Sequence, residues 1–169
     1  LSRPYLDMTL RLMRAFGAEA DWAENGSIEV APGGYVPHPF TVEADWSAAS
    51  YWYSMAAFSD DLDLKLKGLF ADSWQGDAVL SDMMRAFGVQ TEFETDGIRL
   101  RASGAPLKPQ FEWDFLECPD IAQTLAVVCA GLGVTGVFSG LETLSIKETD
   151  RIAALRQELI TASADDLAD

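Results

Sequence analysis

The chain has 169 residues, of which 27 are Asp or Glu and 12 are Lys or Arg, giving a formal net charge of −15. This acidic balance argues against a nucleic-acid-binding surface, which requires Lys and Arg clustered on one face. It is compatible with an anionic small-molecule ligand, because a helix end and a few cations can reverse the local field inside a cleft. Hydrophobic residues make up 49% of the chain, which is enough for a packed core in one domain or in parts of two.

The scarce residue types exclude several kinds of site. The cysteines, Cys118 and Cys129, and the single histidine, His38, are too few for a disulfide framework, a zinc site or a Ser-His catalytic triad. The strongly apolar stretch at 125–132 is far shorter than a membrane span, and the first residues lack the pattern of a signal peptide. We therefore expect no zinc or His-based metal site, no membrane contact and a cytoplasmic location.

The first predicted elements are a helix that begins at Ser2 and a β-hairpin. The helix ends in the motif MRAFG at 13–17, and the hairpin turns at Asn25-Gly26, a dipeptide that favours a type I′ turn. The stretch APGGYVPHPF at 31–40 follows and is rich in proline and glycine. Such a composition predicts a linker, with a domain boundary near residue 42.

One complete β-α-β-α-β-β unit is predicted between residues 41 and 101. Its elements are a strand FTVEAD (40–45), a helix WSAASYWYSMAAF (46–58), a strand LDLKL (62–66), a helix from Ser73 to Gly88, and a hairpin turning at Asp96-Gly97. A further unit follows, with a strand FEWDF (111–115), a helix PDIAQTLAVVCAGLG (119–133), a strand VTGVFSG (134–140) and a helix beginning at Ser145.

Internal repetition organises these elements. MRAFG recurs at 84–88, a displacement of 71 residues, and the turn dipeptides Asn25-Gly26 and Asp96-Gly97 are separated by the same distance in sequence. The pattern predicts an α/β (α+β) fold made of one partial, one complete and one partial β-α-β-α-β-β unit. Residues 1–42 would end one globular domain, and residues 43–169 would form about two repeat units of a second. Because the outer units are incomplete, we expect the chain to be a piece of a longer repeat protein.

The segment SIKETDRI at 145–152 gathers two cations and two carboxylates. Ser145 and Glu148 have the spacing of a capping box at a helix start. Lys147 and Arg151 would then lie on one face of the first turn, where cations oppose the helix dipole. Two explanations stay open: the cations bind an anion at the helix N-terminus, or they pair locally with Asp150 or Glu148.

Asp120 begins the predicted helix that follows the strand at 111–115. Taken alone, it is an early-turn carboxylate favoured by the helix dipole. However, Asp120 and the Ser145 segment both follow strand ends of one β-α-β unit, where α/β folds commonly bind ligands. The two segments are therefore predicted to face one cleft. Ser2 and Tyr5, in the first helix, are interpreted from their positions alone as an N-cap and as a packing or surface residue.

Five segments together resemble the 5-enolpyruvylshikimate-3-phosphate synthase family. They are SRPYLDMTL, VEADWSAASYW, SWQGD, CPDIAQTLA and SIKETDRIAAL, in this order from residue 2 to about 160. The resemblance implies two globular domains that close on substrate and no metal or organic cofactor. The implied reaction transfers the enolpyruvyl group of phosphoenolpyruvate to the 5-hydroxyl of shikimate 3-phosphate and releases phosphate. It also implies a full-length protein that is a monomer.

The resemblance assigns roles by matching position. Asp120 corresponds to the proton acceptor, Glu148 to the acid that handles the methylene proton and also contacts phosphoenolpyruvate, and Arg151 to the phosphoenolpyruvate clamp. Shikimate 3-phosphate would contact Asp120 and four further residues: Ser2, Tyr5, Thr143 and Lys147. Thr143 stands where some members of the family have Asn, which puts its contact in question.

The chain lacks the family's N-terminal Lys-Ser-Arg segment, its Gly-rich loop, its Ser-Ser-Gln run and its late Arg and Lys residues. The 169 residues alone are therefore expected to be inactive. Two alternatives stay open. One is another enolpyruvyl transferase, such as the UDP-N-acetylglucosamine type, which lacks the KETDR pattern and normally uses a loop cysteine. The other is a repeat-domain scaffold without catalysis, in which SIKETDRI is only a capped helix.

Overall fold

The computed structural model of the chain describes residues 3–165 and shows a mixed α/β fold. The α-helices are α1 (Arg3–Ala15), α2 (Trp46–Ala57), α3 (Leu80–Met83), α4 (Ala122–Gly131) and α5 (Arg151–Asp165). The strands are β1 (Ala20–Trp22), β2 (Ile28–Val30), β3 (Asp63–Lys67), β4 (Val89–Glu94), β5 (Gly97–Ala102), β6 (Gln110–Asp114) and β7 (Thr135–Ser139). Short 3₁₀ turns span Gly76–Val79, Met84–Phe87, Pro119–Ile121 and Glu142–Ile146.

The central sheet is antiparallel with the strand order β3-β5-β4. Its middle strand, β5, contributes the fully buried side chains of Ile98 and Leu100 to the core. Between them, Arg99 lies on the opposite face and pairs with Asp63 and Glu94. This alternation is typical of a sheet with one face on the core and the other in solvent.

Strands β6 and β7 are parallel and are connected through α4. Helix α4 is held in the core by buried apolar side chains, including Ala122, Leu125 and Val128. It packs beside α2, where the buried hydroxyls of Ser50 and Thr124 are hydrogen-bonded at 2.9 Å. Because β6 and β7 run in the same direction, the segments that follow them leave from one edge of the pair.

Both predicted hairpins form, but their turns are not of type I′. That type needs positive φ at both central residues, and among the described residues only glycines have positive φ. In the first hairpin, Asn25 Oδ1 accepts a hydrogen bond from Ser27 N at 3.0 Å, within a five-residue loop between the paired Trp22 and Ile28. In the second, Gly97 is already paired with Glu94, so the turn lies one residue earlier than predicted.

Gly97 is required for a close approach rather than for a turn. A Cβ atom on this residue would lie 2.1 Å from the carbonyl oxygen of Leu66 in the neighbouring strand. By contrast, Gly88 has the left-handed φ of +77° predicted for the residue that ends its helical segment.

One element predicted for the complete unit is wrong, because residues 40–45 form no strand. The predicted helical segment forms and ends at Gly88, but it begins at Gly76, three residues after Ser73. The side chain of Gln75 joins these two parts of the chain. Its Oε1 accepts from Trp46 N at 2.8 Å and its Nε2 donates to Ala44 O at 2.7 Å, so that these backbone groups are used by a side chain. The later elements α2, β3, α3, β4 and β5 follow in the predicted order.

The predicted capping box at Ser145 is also wrong. Ser145 lies in a 3₁₀ turn and donates to the carbonyl oxygen of Glu142, and the extended backbone of Lys147 separates this turn from α5. Asp150 caps α5 instead, because its Oδ1 accepts from Ala153 N at 3.0 Å. Lys147 therefore precedes the helix and does not share its first turn with Arg151.

Replacing Asp150 with alanine is expected to lower the free energy of unfolding by about 0.5–2 kcal/mol, the usual cost of losing an N-cap. Ser145→Ala is the matched control and should change it by less than about 0.5 kcal/mol, as for a typical surface residue. Urea denaturation followed by circular dichroism measures both. A larger loss in Ser145→Ala than in Asp150→Ala would instead favour the capping box.

Candidate active site

Asp120 is positioned by the short turn that joins β6 to α4. Pro119 begins this turn, and its buried neighbours, including Ile121, anchor it to the core. The Asp120 carboxylate lies at the N-terminal end of the helical segment, where the free N–H groups favour negative charge. With 18% of its side chain exposed, it is accessible from solvent but largely enclosed.

Two cations from the segment after β7 converge on Asp120. Lys147 Nζ donates to Asp120 Oδ1 at 2.9 Å, and Arg151 Nη1 donates to the same oxygen at 3.0 Å. Tyr5, from α1, donates its hydroxyl to the other oxygen, Oδ2, at 2.6 Å. The structure thus brings together four residues singled out from the sequence, including one that is 115 positions from Asp120.

These contacts shift the pKa values of the Asp120 carboxyl group and the Tyr5 hydroxyl group. Burial alone would raise the pKa of Asp120, but hydrogen bonds from Tyr5 and Lys147 and the charges of Lys147 and Arg151 hold it below its ordinary value. The pKa of Tyr5 is raised, first by burial and then by its hydrogen bond to Asp120. Near neutral pH the cluster therefore contains an ionised carboxylate and a neutral tyrosine that donates to it.

Glu148 is paired with Arg151 and does not contact Asp120. The Arg151 Nη2 atom lies 2.6 Å from Glu148 Oε1 and 2.8 Å from Oε2, while 68% of the Glu148 side chain is exposed. The hydrogen bond from Arg151 is the largest cause that lowers the pKa of Glu148. Arg151 therefore pairs locally with Glu148, as one of the two explanations expected. It also contacts Asp120, which is 31 positions earlier, and local pairing does not explain this contact.

Of the two remaining predicted site residues, Thr143 and Ser2, the structure describes only Thr143. Thr143 lies in the turn between β7 and α5, and its hydroxyl oxygen is buried without a hydrogen-bond partner. Ser2 lies outside the described residues.

A cavity of about 480 Å³ lies beside the cluster and shares Tyr5 with it. Its walls come from α1, from residues 40–47 and from residues 74–77. The described lining includes the carboxylates of Glu43, Asp45, Asp77 and Glu117 but no Lys or Arg. Anions are therefore better accommodated at the Lys147 and Arg151 side than in this cavity.

Asp77 is a buried carboxylate in this wall that sequence reasoning did not single out. It is 6% exposed, and it accepts a hydrogen bond from the hydroxyl of Ser47. Burial raises its pKa, with a smaller contribution from the charge of Asp120. The segment SWQGD contains this residue, but its composition does not reveal that a serine 30 positions earlier would contact it.

Residues 3–165 were compared with the requirements of a metal site and of a membrane-spanning helix. None of its His, Cys, Asp and Glu side chains form a group of three or more suited to a metal ion. None of its helices has both the length and the apolar character needed to cross a membrane.

The chain is thus a mixed α/β protein in which one largely enclosed carboxylate, Asp120, faces two cations. The sequence pattern of one family, EPSP synthase (3-phosphoshikimate 1-carboxyvinyltransferase), matches residues 1–165. The chain belongs to this family.

Curated relatives named 3-phosphoshikimate 1-carboxyvinyltransferase support the assignment. The chain is 49% identical over 159 residues to that of Bacteroides fragilis, covering 94% of this chain and 38% of the relative. It is 37% identical over 161 residues to that of Cellvibrio japonicus, covering 94% and 37%. For Methanothermobacter thermautotrophicus the identity is 33% over 159 residues, with the same coverage of 94% and 37%. The chain thus spans a little over a third of the length of these relatives.

Proposed function

We propose that this chain forms part of an active site that transfers the enolpyruvyl group of phosphoenolpyruvate to the 5-hydroxyl of shikimate 3-phosphate. The observation that carries the proposal is the convergence of Lys147, Arg151 and Tyr5 on the single carboxylate of Asp120. Both substrates are anions, and the reaction needs a group that accepts a hydroxyl proton. The two cations can bind the anionic substrates, and the carboxylate between them can accept the proton.

The proposed architecture has the site between two domains. Residues 1–42 end the first domain and supply Tyr5, and residues 43–169 belong to the second and supply Asp120. Each domain would consist of repeated β-α-β-α-β-β units, of which the chain contains parts. The location in the cytoplasm and the monomeric state of the full-length protein stay predictions.

In the ligand-free cluster, Asp120 neutralises the cations that the substrates need. Lys147 would bind the phosphate of shikimate 3-phosphate, and Arg151 would bind phosphoenolpyruvate, through charge-assisted hydrogen bonds. As these cations move towards the incoming anions, the pKa of Asp120 rises, because its stabilising partners are shared with the ligand. Substrate binding would thus convert a weak base into a stronger one.

The proposed chemistry balances one addition and one elimination. Asp120 accepts the proton of the 5-hydroxyl while the hydroxyl oxygen of shikimate 3-phosphate forms a bond to C2 of phosphoenolpyruvate. Glu148 delivers a proton to C3. The tetrahedral intermediate then loses a C3 proton to Glu148, which re-forms the double bond and breaks the bond from C2 to the phosphate oxygen. The proton held by Asp120 passes to the departing phosphate, so that both carboxyl groups return to their starting states. Arg151 lowers the pKa of Glu148 in the free cluster, so its engagement with phosphoenolpyruvate would also favour protonation of Glu148.

Three further residues would position shikimate 3-phosphate. Tyr5 remains a neutral donor because its pKa is raised, and it lies beside the proton acceptor. The unpartnered hydroxyl of Thr143 is available to a ligand once the turn that contains it moves. Ser2 is proposed for the same subsite on sequence correspondence alone.

The 169-residue chain by itself is expected to show no turnover, because most of the length of its relatives has no counterpart in it. A chimera in which this chain replaces the matching segment of the Bacteroides fragilis relative should be active. Phosphate release in the presence of both substrates measures each protein. Turnover by the isolated chain would contradict the expectation that it holds only part of the site. A folded chimera that binds neither substrate would contradict the proposed function and favour a non-catalytic scaffold.

A further inference from the structure

Gly76 is the point at which three separate segments of the chain meet. A Cβ atom on this residue would lie 2.6 Å from the carbonyl oxygen of Glu117 and 3.2 Å from Cβ of Pro4. Real Cβ atoms do not come this close to backbone oxygen, so a side chain here would force one segment to move. Gly76 does not have positive φ, and alanine is therefore opposed by lack of space and not by backbone conformation.

The two residues nearest in space to this position, Pro4 and Glu117, are close in sequence to Tyr5 and Asp120. Pro4 immediately precedes Tyr5 at the start of α1, and Glu117 lies three residues before Asp120. The Tyr5 hydroxyl and Asp120 Oδ2 are only 2.6 Å apart, so a small displacement of either segment breaks this contact. The hydrogen atom in place of a side chain at Gly76 thus permits the approach on which the contact depends.

The turn that contains Gly76 is fixed and cannot easily retreat. Gln75 bridges Ala44 O and Trp46 N with both polar atoms of its side chain. On the other side, Asp77 is buried and bound by Ser47. With the turn held at both ends, an added methyl group would displace the Pro4 or Glu117 segment.

We propose that Gly76 is a positioning residue that sets the separation between the start of α1 and the Asp120 turn, and thereby the geometry of the Tyr5–Asp120 pair. Its significance for catalysis rests on the proposed function, since these two residues would contact shikimate 3-phosphate from opposite sides. The geometric part of the inference does not depend on turnover.

The test compares Gly76→Ala with Gly34→Ala in the 169-residue chain. Gly34 is the matched control, because a Cβ atom there meets nothing within 4 Å and its φ is not positive. The readout is the ring Cζ carbon resonance of Tyr5, measured by NMR with ¹³C-labelled tyrosine and assigned by its loss in Tyr5→Phe. Gly76→Ala should move this resonance towards that of the exposed Tyr51, and Gly34→Ala should leave it unchanged.

The same two substitutions are then made in the chimera. Gly76→Ala should lower kcat/KM for shikimate 3-phosphate by about 100-fold, as for a misplacement of about 1 Å in a site. If Gly76→Ala lowers only the melting temperature and leaves both the Tyr5 resonance and kcat/KM unchanged, the inference is overturned. If the resonance moves but the unsubstituted chimera is inactive, the positioning inference stands and the proposed function fails.

A second variant covers the case in which Gly76→Ala does not fold. Pro4→Gly removes the Cβ and Cγ atoms that lie nearest to where a Cβ atom on Gly76 would stand, so that the separation between α1 and this turn is no longer set at this point. The Tyr5 resonance should again move towards that of Tyr51. An unchanged resonance in a folded Pro4→Gly chain would overturn the inference.

Discussion

Replacing Asp120 with asparagine in the chimera is expected to lower kcat by about 100-fold or more while leaving the affinity for shikimate 3-phosphate unchanged or higher. The amide cannot accept the proton of the 5-hydroxyl, and general acid–base groups typically contribute about 10²–10⁴-fold to the rate. Affinity is maintained because the carboxylate competes with the ligand for Lys147 and Arg151 in the free cluster. Its removal leaves both cations available to an anion.

Two measurements separate these effects. Steady-state kinetics gives kcat, and calorimetry with shikimate 3-phosphate gives the dissociation constant. Asp60→Asn is the control, since Asp60 is exposed in the loop between α2 and β3 and should change neither quantity. Full turnover by Asp120→Asn would remove Asp120 from the proposed catalytic role and leave it as a partner of the two cations.

The elements that sequence predicted well are those whose pattern is local. Strand β3 has strict alternation, and most of α4 lies in the apolar stretch at 125–132, which ends before Gly133. Each depends on neighbours within a few residues, so the sequence window contains the cause. The start of α5 shows the limit of this reasoning: Ser145 and Asp150 are both good N-caps, and the extended backbone at Lys147 decides between them.

Part of the cluster was also predictable, because topology brings the segments after β6 and β7 to one edge. Knowing only that these strands are parallel neighbours, one expects Asp120 to lie near Lys147 and Arg151. The contribution of α1 was different. Nothing between Tyr5 and Asp120 specifies their contact, and only the resemblance to a family placed Tyr5 in the site.

The contacts of residues 74–77 could not be predicted for a related physical reason. Gln75 lies in what the sequence predicted as the first turn of the helix from Ser73, yet its side chain bonds backbone groups about 30 positions away. Gly76 does not have the positive φ that would mark it as a turn glycine. Its importance depends on Pro4 and Glu117, which are 72 and 41 positions away in sequence. Such tertiary constraints leave no periodicity or capping pattern for sequence analysis to detect.

Replacing Lys147 with alanine is expected to weaken the binding of shikimate 3-phosphate by about 10- to 100-fold. A hydrogen bond to a charged group contributes about 1.5–3 kcal/mol, and about 1.4 kcal/mol corresponds to a factor of ten in affinity. Lys147 is 25% exposed, so solvent screens its charge only in part. Its loss also leaves Asp120 with one cation fewer, which adds net repulsion against the phosphate.

The pattern of effects distinguishes Lys147 from Asp120. Lys147→Ala should raise the dissociation constant measured by calorimetry, and its kcat at saturating substrate should fall less than that of Asp120→Asn. Lys108→Ala, at an exposed lysine outside the cluster, should bind as the unsubstituted chimera does. If Lys147→Ala binds shikimate 3-phosphate normally, Lys147 serves only to neutralise Asp120. The phosphate of shikimate 3-phosphate would then be bound by other residues of the chimera.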